Sequence, residues 1–324
     1  MTDSLLGTVE SLLKRRWVNW LLVLAGIGLA LLVVARSVYV NWDEFRTFEW
    51  QVAPWPLVGA GIALAAAFCL NLTTWHLISG TLGSRLGFLK NAEIYSFATV
   101  IRRLPGVVWQ LAGRTYLYHL AETSLVVPVW GTLWEVFAQF ASGIALTVLT
   151  LVLSPRLQNH FPTGTWALLL LIPVVWLLAR PQDAIRLAAR LAPKYASHEL
   201  RVRRRDVWGW VAMYLLSWAL GGVILHLLIS AIRPQSWMML GVCVGLVSAT
   251  GVLSLLATPI PGGLGIRDVS LLILLQLYVE SPVAVGATVT LRLMLLLGEA
   301  LVALCTYLVV RWIVAVRARW ANTP

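Results

Sequence analysis

Pro259-Ile260-Pro261-Gly262-Gly263-Leu264-Gly265-Ile266-Arg267-Asp268 ends a run from Pro234 to Ile266 that carries no charged residue. About 20 apolar residues cross a hydrocarbon core roughly 30 Å thick, so this run is long enough to enter a bilayer. It cannot continue as one straight helix. Proline removes a backbone donor and glycine frees the backbone, so the run breaks near its centre. Broken backbone at membrane depth survives only where protein or a watery cavity covers it. The segment at about 237–279 is therefore expected to fold back as a re-entrant helical hairpin.

The rest of the chain belongs to the same class. Of its 324 residues 59% are hydrophobic and only 12% charged, outside the range of a soluble globular protein. Trp17–Ala35, Val52–Gly83, Phe161–Ala179 and Val207–Ile232 are also free of charge. The expected architecture is all-α: one polytopic transmembrane domain over 1–324, with about six full spans and two re-entrant hairpins. The N-terminal apolar run is too long for a cleaved signal and lacks a small-x-small site, so it is expected to remain as the first helix.

The net charge of +11 raises the possibility of nucleic acid, but its distribution points elsewhere. Lys14, Arg15 and Arg16, Arg201 to Arg205, and Arg311, Arg317 and Arg319 flank apolar segments, as the positive-inside rule requires. Trp17, Trp42, Trp50, Trp55, Trp208, Trp210, Trp237 and Trp312 lie near segment ends, where amphipathic rings favour headgroups. Cys69, Cys243 and Cys305 fall inside apolar runs with no metal or disulfide spacing and are expected as small core residues. No cofactor is expected.

Charge also orients the spans. The N-terminus is expected in the cytoplasm, with helices at about 18–35, 57–79, 124–153, 165–179, 207–230 and 282–311. The loop 180–206 carries eight Lys or Arg and is expected on the cytoplasmic side, as is the C-terminus. Within it, Ile185, Leu187 and Leu191 alternate with Arg186, Arg190 and Lys194. Such a stretch can lie on an anionic membrane surface, although topology alone accounts for its charge.

A second interrupted segment, about 87–120, holds Ile101-Arg102-Arg103-Leu104-Pro105-Gly106 at its break. The regions 57–153 and 207–311 then share one pattern: a full helix, a broken hairpin, an arginine, and a long helix containing an acid. Pro105 and Pro261 lie 156 residues apart (261 − 105), and the two copies run in opposite directions. Inverted repeats with broken helices are a common way of building a transporter's substrate site.

Charges inside a bilayer cost about 2.5–3.5 kcal/mol each on insertion scales, which marks them as functional candidates. The set at depth is Arg102, Arg103, Arg114, Glu135, Arg267, Asp268, Arg292 and Glu299, a surplus of two positive charges (5 − 3). An anionic headgroup would relieve that surplus, and guanidinium bonds phosphate through two nitrogens. Helices starting near 107 and 266 would aim free N–H groups at such an anion. Asp268 is expected to pair with Arg292 or Arg114. Arg292 and Glu299, seven apart on one helix, share a face and are each expected to reach across to the other repeat. Glu135 either closes a helix–helix salt bridge or carries a proton. Arg102 and Arg103 either line the site or snorkel to the interface. His119 and His226 are expected as hydrogen-bonded packing residues.

Leu104-Pro105-Gly106-Val107-Val108-Trp109-Gln110 with Gly113-Arg114, and Pro261-Gly262-Gly263-Leu264-Gly265-Ile266-Arg267-Asp268 with Arg292 and Gly298-Glu299, resemble a known pattern. It is that of the lysylphosphatidylglycerol synthase transmembrane family, also called the flippase-like domain family. This family includes the membrane half of the multiple peptide resistance factors. The resemblance runs from about residue 20 to 312. It departs at Asp268, where the family usually has Glu, and no aminoacyl-transferase domain is expected after the last helix.

The resemblance implies a lipid-translocating core in the inner membrane, with an anionic phospholipid or polyprenyl-phosphate-type glycolipid as cargo. Synthesis of lysyl-phosphatidylglycerol is not expected. The substrate contacts would come from Arg114, Arg267, Arg292, Gly262, Gly263, Gly265, Trp109 and Gln110, with Pro105, Gly106, Pro259 and Pro261 shaping the loops. Glu135, Asp268 and Glu299 would serve pairing or coupling. The alternative is a membrane-embedded enzyme or accessory subunit acting on a lipid-linked sugar or aminoacyl lipid. Expected partners are membrane lipids, a second copy of the chain, or a glycosyltransferase or synthase.

Overall fold

The computed structural model describes residues 28, 31–101, 108–160, 169, 171–180, 182–183, 186, 202–256 and 265–321. Its elements are all helical. In chain order they are α1 (Leu31–Val40), α2 (Trp42–Thr47), α3 (Pro54–Thr81), α4 (Phe88–Ile101), α5 (Val108–Leu120), α6 (Val126–Leu153) and α7 (Pro155–His160). There follow α8 (Leu171–Ala179), α9 (Arg204–Ile232), α10 (Met239–Leu256), α11 (Ile266–Leu275), α12 (Ser281–Leu293) and α13 (Glu299–Ala321), the last two joined by a π turn at Met294–Gly298. Among the described residues, five helices are long and apolar enough to cross a membrane: α3, α6, α9, α10 and the continuous helix Ser281–Val314.

The helix limits follow local chemistry. Proline opens α3 at a position where its missing N–H costs nothing. Gly83, at φ +92°, closes α3: its N–H and that of Ser84 reach the carbonyls of Gly80 and Ser79. This is the left-handed stop that glycine tolerates without a Cβ penalty. Asp206 caps α9, its Oδ2 accepting the Arg203 N–H at 3.3 Å. That cap starts α9 at Arg204, three residues before the expected boundary, and shortens the basic loop accordingly.

The helices at 57–79, 207–230 and 282–311 are present with longer ends, and that at 124–153 starts two residues later, at Val126. The first helix, expected at 18–35, lies mostly outside the described residues, and its described part runs on to Val40. The helix at 165–179 is described as a helix only over Leu171–Ala179. Both expected breaks fall between described helices, α4 and α5 in the first segment and α10 and α11 in the second, and lie outside the described residues. Pro105, Gly106, Pro259, Pro261, Gly262 and Gly263, with Arg102 and Arg103, lie outside the described residues.

Helices α3 and α9 pack along each other at the centre. Helix α4 lies against α5 and α13, whereas α10 lies against α11 and α6. Two cores result. One gathers Trp75, Tyr95, Tyr118, Trp134, Trp210 and Tyr214; the other gathers Leu64, Leu225, Leu246, Leu272 and Leu291. The loops cluster as well. Ala53 N–H donates to Ala231 O at 2.8 Å, Ser154 bonds Tyr278 at 2.6 Å, and Ser281 N–H donates to Glu44 at 3.2 Å. These contacts gather four connections at one end of the bundle. At the other end, Arg311 reaches Glu93 at 3.5 Å.

Several expectations are corrected. Trp210 is buried in the first core, although Trp42, Trp50, Trp55, Trp208, Trp237 and Trp312 are exposed as an interfacial belt requires. Cys69 and Cys305 are exposed, and only Cys243 packs inside, because the other two fall on outward helix faces. His119 is exposed at the end of α5 rather than packed. His226 is buried and stacks on Trp237 at 5.2 Å between ring centroids, but its Nδ1 has no hydrogen-bond partner among the described residues.

Candidate functional site

Arg114 lies in the middle of α5 and is fully buried. A guanidinium cannot shed its charge, so at this depth it must be compensated. Glu135 on α6 supplies the countercharge: Arg114 Nη1 donates to Oε2, and Nη2 to Oε1 at 3.4 Å. Of the two roles open to Glu135, the helix–helix salt bridge is the one seen. Thr132 Oγ1 accepts from Nη1 at 3.3 Å, and the Tyr214 hydroxyl of α9 donates to Glu135 Oε1 at 3.3 Å.

Aromatic faces close the rest of the cage. The guanidinium carbon is 3.8 Å from the Trp75 ring centroid and 5.3 Å from that of Tyr95. A cation over an indole face is worth about 2 kcal/mol or more once desolvated. Trp75 Nε1 then donates to the Tyr118 hydroxyl at 3.2 Å, and that hydroxyl donates to Asn91 Oδ1 at 2.5 Å. The Asn91 amide nitrogen continues to His76 Nδ1 at 2.9 Å and to Leu86 O at 3.2 Å. Five helices (α3, α4, α5, α6 and α9) thus meet around one buried cation.

Sequence reasoning named Arg114 and Glu135 but missed Trp75, Tyr95, Asn91, Tyr118 and Tyr214. One signal was present: Tyr118 follows Arg114 by four residues and so shares its helix face. Trp75 and Tyr214 come from other spans, and no local spacing pointed to them.

The second charged group belongs to α11 and α12. Gly265 caps α11 at φ +88°, and its carbonyl accepts from Val269 N–H at 2.8 Å. The helix therefore starts at Ile266, as its loop predicts. Asp268, in the first turn, pairs with Arg292 at 3.6 Å, with both side chains about one-fifth exposed. Arg267 and Glu299 are each engaged within the fold. Trp109 and Gln110 fall in the first turns of α5.

This geometry corrects two expectations. Arg292 pairs with Asp268 on α11, inside the region 207–311, and not with a residue of 57–153. Arg292 and Glu299 also do not share a face. The π turn between them inserts an extra residue, which rotates Glu299 by about 100° relative to regular α-helix. Charge bookkeeping changes as well. Among the described residues of the set, Arg114, Arg267 and Arg292 balance Glu135, Asp268 and Glu299, so the positive surplus resides in Arg102 and Arg103.

Compared with known proteins, the chain matches no protein-family model and no curated protein.

Proposed function

We propose that this chain is a lipid flippase of the inner membrane, built as an inverted repeat around two re-entrant hairpins with both termini cytoplasmic. The observation that carries this reading is reciprocal packing. The first arm of each broken segment lies against the last helix of the other half, α4 on α13 and α10 on α6. Two halves related in this way can rock against each other about the central α3–α9 contact, which is how inverted-repeat transporters alternate access.

The hairpin ends support the same reading. The Tyr118–Asn91 hydrogen bond joins the start and finish of the first interrupted segment, as a re-entrant path requires. At 13 and 10 residues, α5 and α11 rise about 20 and 15 Å, too short to cross the bilayer alone. The resemblance to the lysylphosphatidylglycerol synthase transmembrane family, carried by the motifs around Pro105 and Pro261, agrees with this arrangement. The cargo is an anionic phospholipid or a polyprenyl-phosphate-type glycolipid, whose phosphate suits Arg102, Arg103 and Arg267 near the two breaks.

Reconstitution into proteoliposomes tests the proposal, with fluorescent phosphatidylglycerol as the probe. Wild-type protein is expected to move the probe between leaflets well above protein-free vesicles. Arg267→Ala with Arg292→Ala is expected to slow it by about tenfold or more while eluting as a folded species. Translocation no faster than in empty vesicles, or unchanged in the folded double variant, rejects the reading.

A further inference from the structure

A cavity of about 310 Å³ opens at the end of the bundle where the loops cluster. Arg233 and Gln235 line it from the end of α9, Gln276 and Tyr278 from the turn after α11, and Glu280 from the start of α12. It touches neither the Arg114 cage nor the Asp268–Arg292 pair.

The walls are held by bonds from other elements. Gln276 Nε2 donates to Ser37 Oγ of α1 at 2.7 Å. The Tyr278 hydroxyl bonds Ser154 at 2.6 Å, and Arg156 donates to Leu277 O at 3.2 Å. The Ser281 N–H, at the head of α12, is taken by Glu44 of α2 at 3.2 Å. Three separate segments (α1, α2 and the junction of α6 with α7) therefore fix the turn, so the cavity is formed before anything enters it. Such preorganisation lowers the ordering cost of binding.

Its chemistry selects among ligands. Arg233 and Glu280 meet at 3.1 Å, so the one cation of the lining is neutralised by the one anion. What remains is two carboxamides and a phenol, groups that both donate and accept hydrogen bonds. Hydroxyl groups do the same, and a polyol pairs with such a lining without stranding a partner. A phosphate would instead face the Glu280 carboxylate, and an acyl chain would cover the half-buried carboxamides of Gln235 and Gln276 without offering them a hydrogen bond. The volume sits at the low end of ligand pockets, about 300–1,000 Å³, enough for one sugar ring. Exposed Trp42, Trp50, Trp55 and Trp237 ring this end of the bundle. Tryptophan belts sit at headgroup depth, which places the cavity level with a lipid's head.

We infer that this cavity binds a neutral, hydroxyl-rich group, the sugar of a glycolipid head. The assignment rests on the lipid-transport reading and narrows its cargo to the glycosylated class. It adds a second contact point, separate from the arginines that would hold phosphate.

Native mass spectrometry of delipidated protein tests it, titrated in separate arms with glucosyl-diacylglycerol, diacylglycerol and phosphatidylglycerol. Wild-type protein is expected to prefer the glucosyl lipid to plain diacylglycerol. Gln235→Ala with Gln276→Ala is expected to weaken that lipid by about tenfold, leaving phosphatidylglycerol unchanged. Because Gln276 also holds Ser37, Gln235→Ala alone serves as the milder variant, with an expected loss of about threefold. Equal binding of glucosylated and plain diacylglycerol overturns the assignment, as does an equal loss for all lipids in the variants. Flipping in proteoliposomes is scored separately. Sugar selectivity without flipping rejects transport and leaves the cavity standing, whereas flipping without selectivity rejects the cavity alone.

Discussion

Trp75 packs so closely on Gly131 that a Cβ at residue 131 would lie 2.9 Å from the edge of its indole ring. The same indole carries Arg114 on its face at 3.8 Å, so a small residue on α6 sets the position of a cation held by α5. Gly131→Ala must push the ring away, and Trp75 is too enclosed to move without disturbing Arg114. The expected loss is about 1–3 kcal/mol, the range for overpacking a core, read as a lower thermal midpoint in detergent.

Removing one member of the Arg114–Glu135 pair leaves the other charge buried alone. Arg114→Met and Glu135→Gln are each expected to destabilise by about 3–5 kcal/mol. The double variant Arg114→Met with Glu135→Gln should recover much of that loss, because it strands no charge. A double-mutant cycle by chemical denaturation checks this; additive losses would show that the two groups act independently.

Glycines in the central helices should not be equivalent. A Cβ on Gly222 of α9 would fall 2.3 Å from Val244 Cγ2 and 2.5 Å from its Cα, whereas one on Gly61 of α3 meets nothing within 4 Å. Gly222→Ala must separate the backbones of α9 and α10 and is expected to destabilise by about 3 kcal/mol or more. Gly61→Ala should be neutral or stabilising by about 0.5–1 kcal/mol, since alanine favours the helix. Thermal unfolding of both variants side by side gives the comparison.

Gly265 holds a backbone conformation that residues with a side chain rarely adopt. Gly265→Ala is expected to cost about 1–2 kcal/mol locally and to loosen the start of α11. Hydrogen exchange at Val269, whose N–H reaches the Gly265 carbonyl, should quicken by about tenfold.

The helical class and the long apolar spans were legible because each rests on short-range chemistry. Apolar length, proline and glycine act within a few residues of themselves. The start of α11 at Ile266 is a case in point, announced by the loop before it. The Arg114 cage was only half legible. Arg114 and Glu135 stood out as charges in apolar runs, but Trp75 and Tyr214 look like any other aromatics on a span. The π turn at Met294–Gly298 was not legible at all, since Met-Leu-Leu-Leu-Gly reads as ordinary helix.

The chain's linear order of apolar and charged residues determined that it is helical, that long helices can cross a membrane, and that α11 starts at Ile266. These outcomes depend on hydrophobic length and backbone chemistry, which neighbouring residues settle between themselves. Tertiary structure alone decided which charges meet: Arg114 with Glu135 on the next helix, and Arg292 with Asp268 on α11. Pairing in a low-dielectric interior is set by which faces pack together and by the rotation of each helix. A single extra residue at the π turn changes that rotation, and the residues flanking it carry no mark of it.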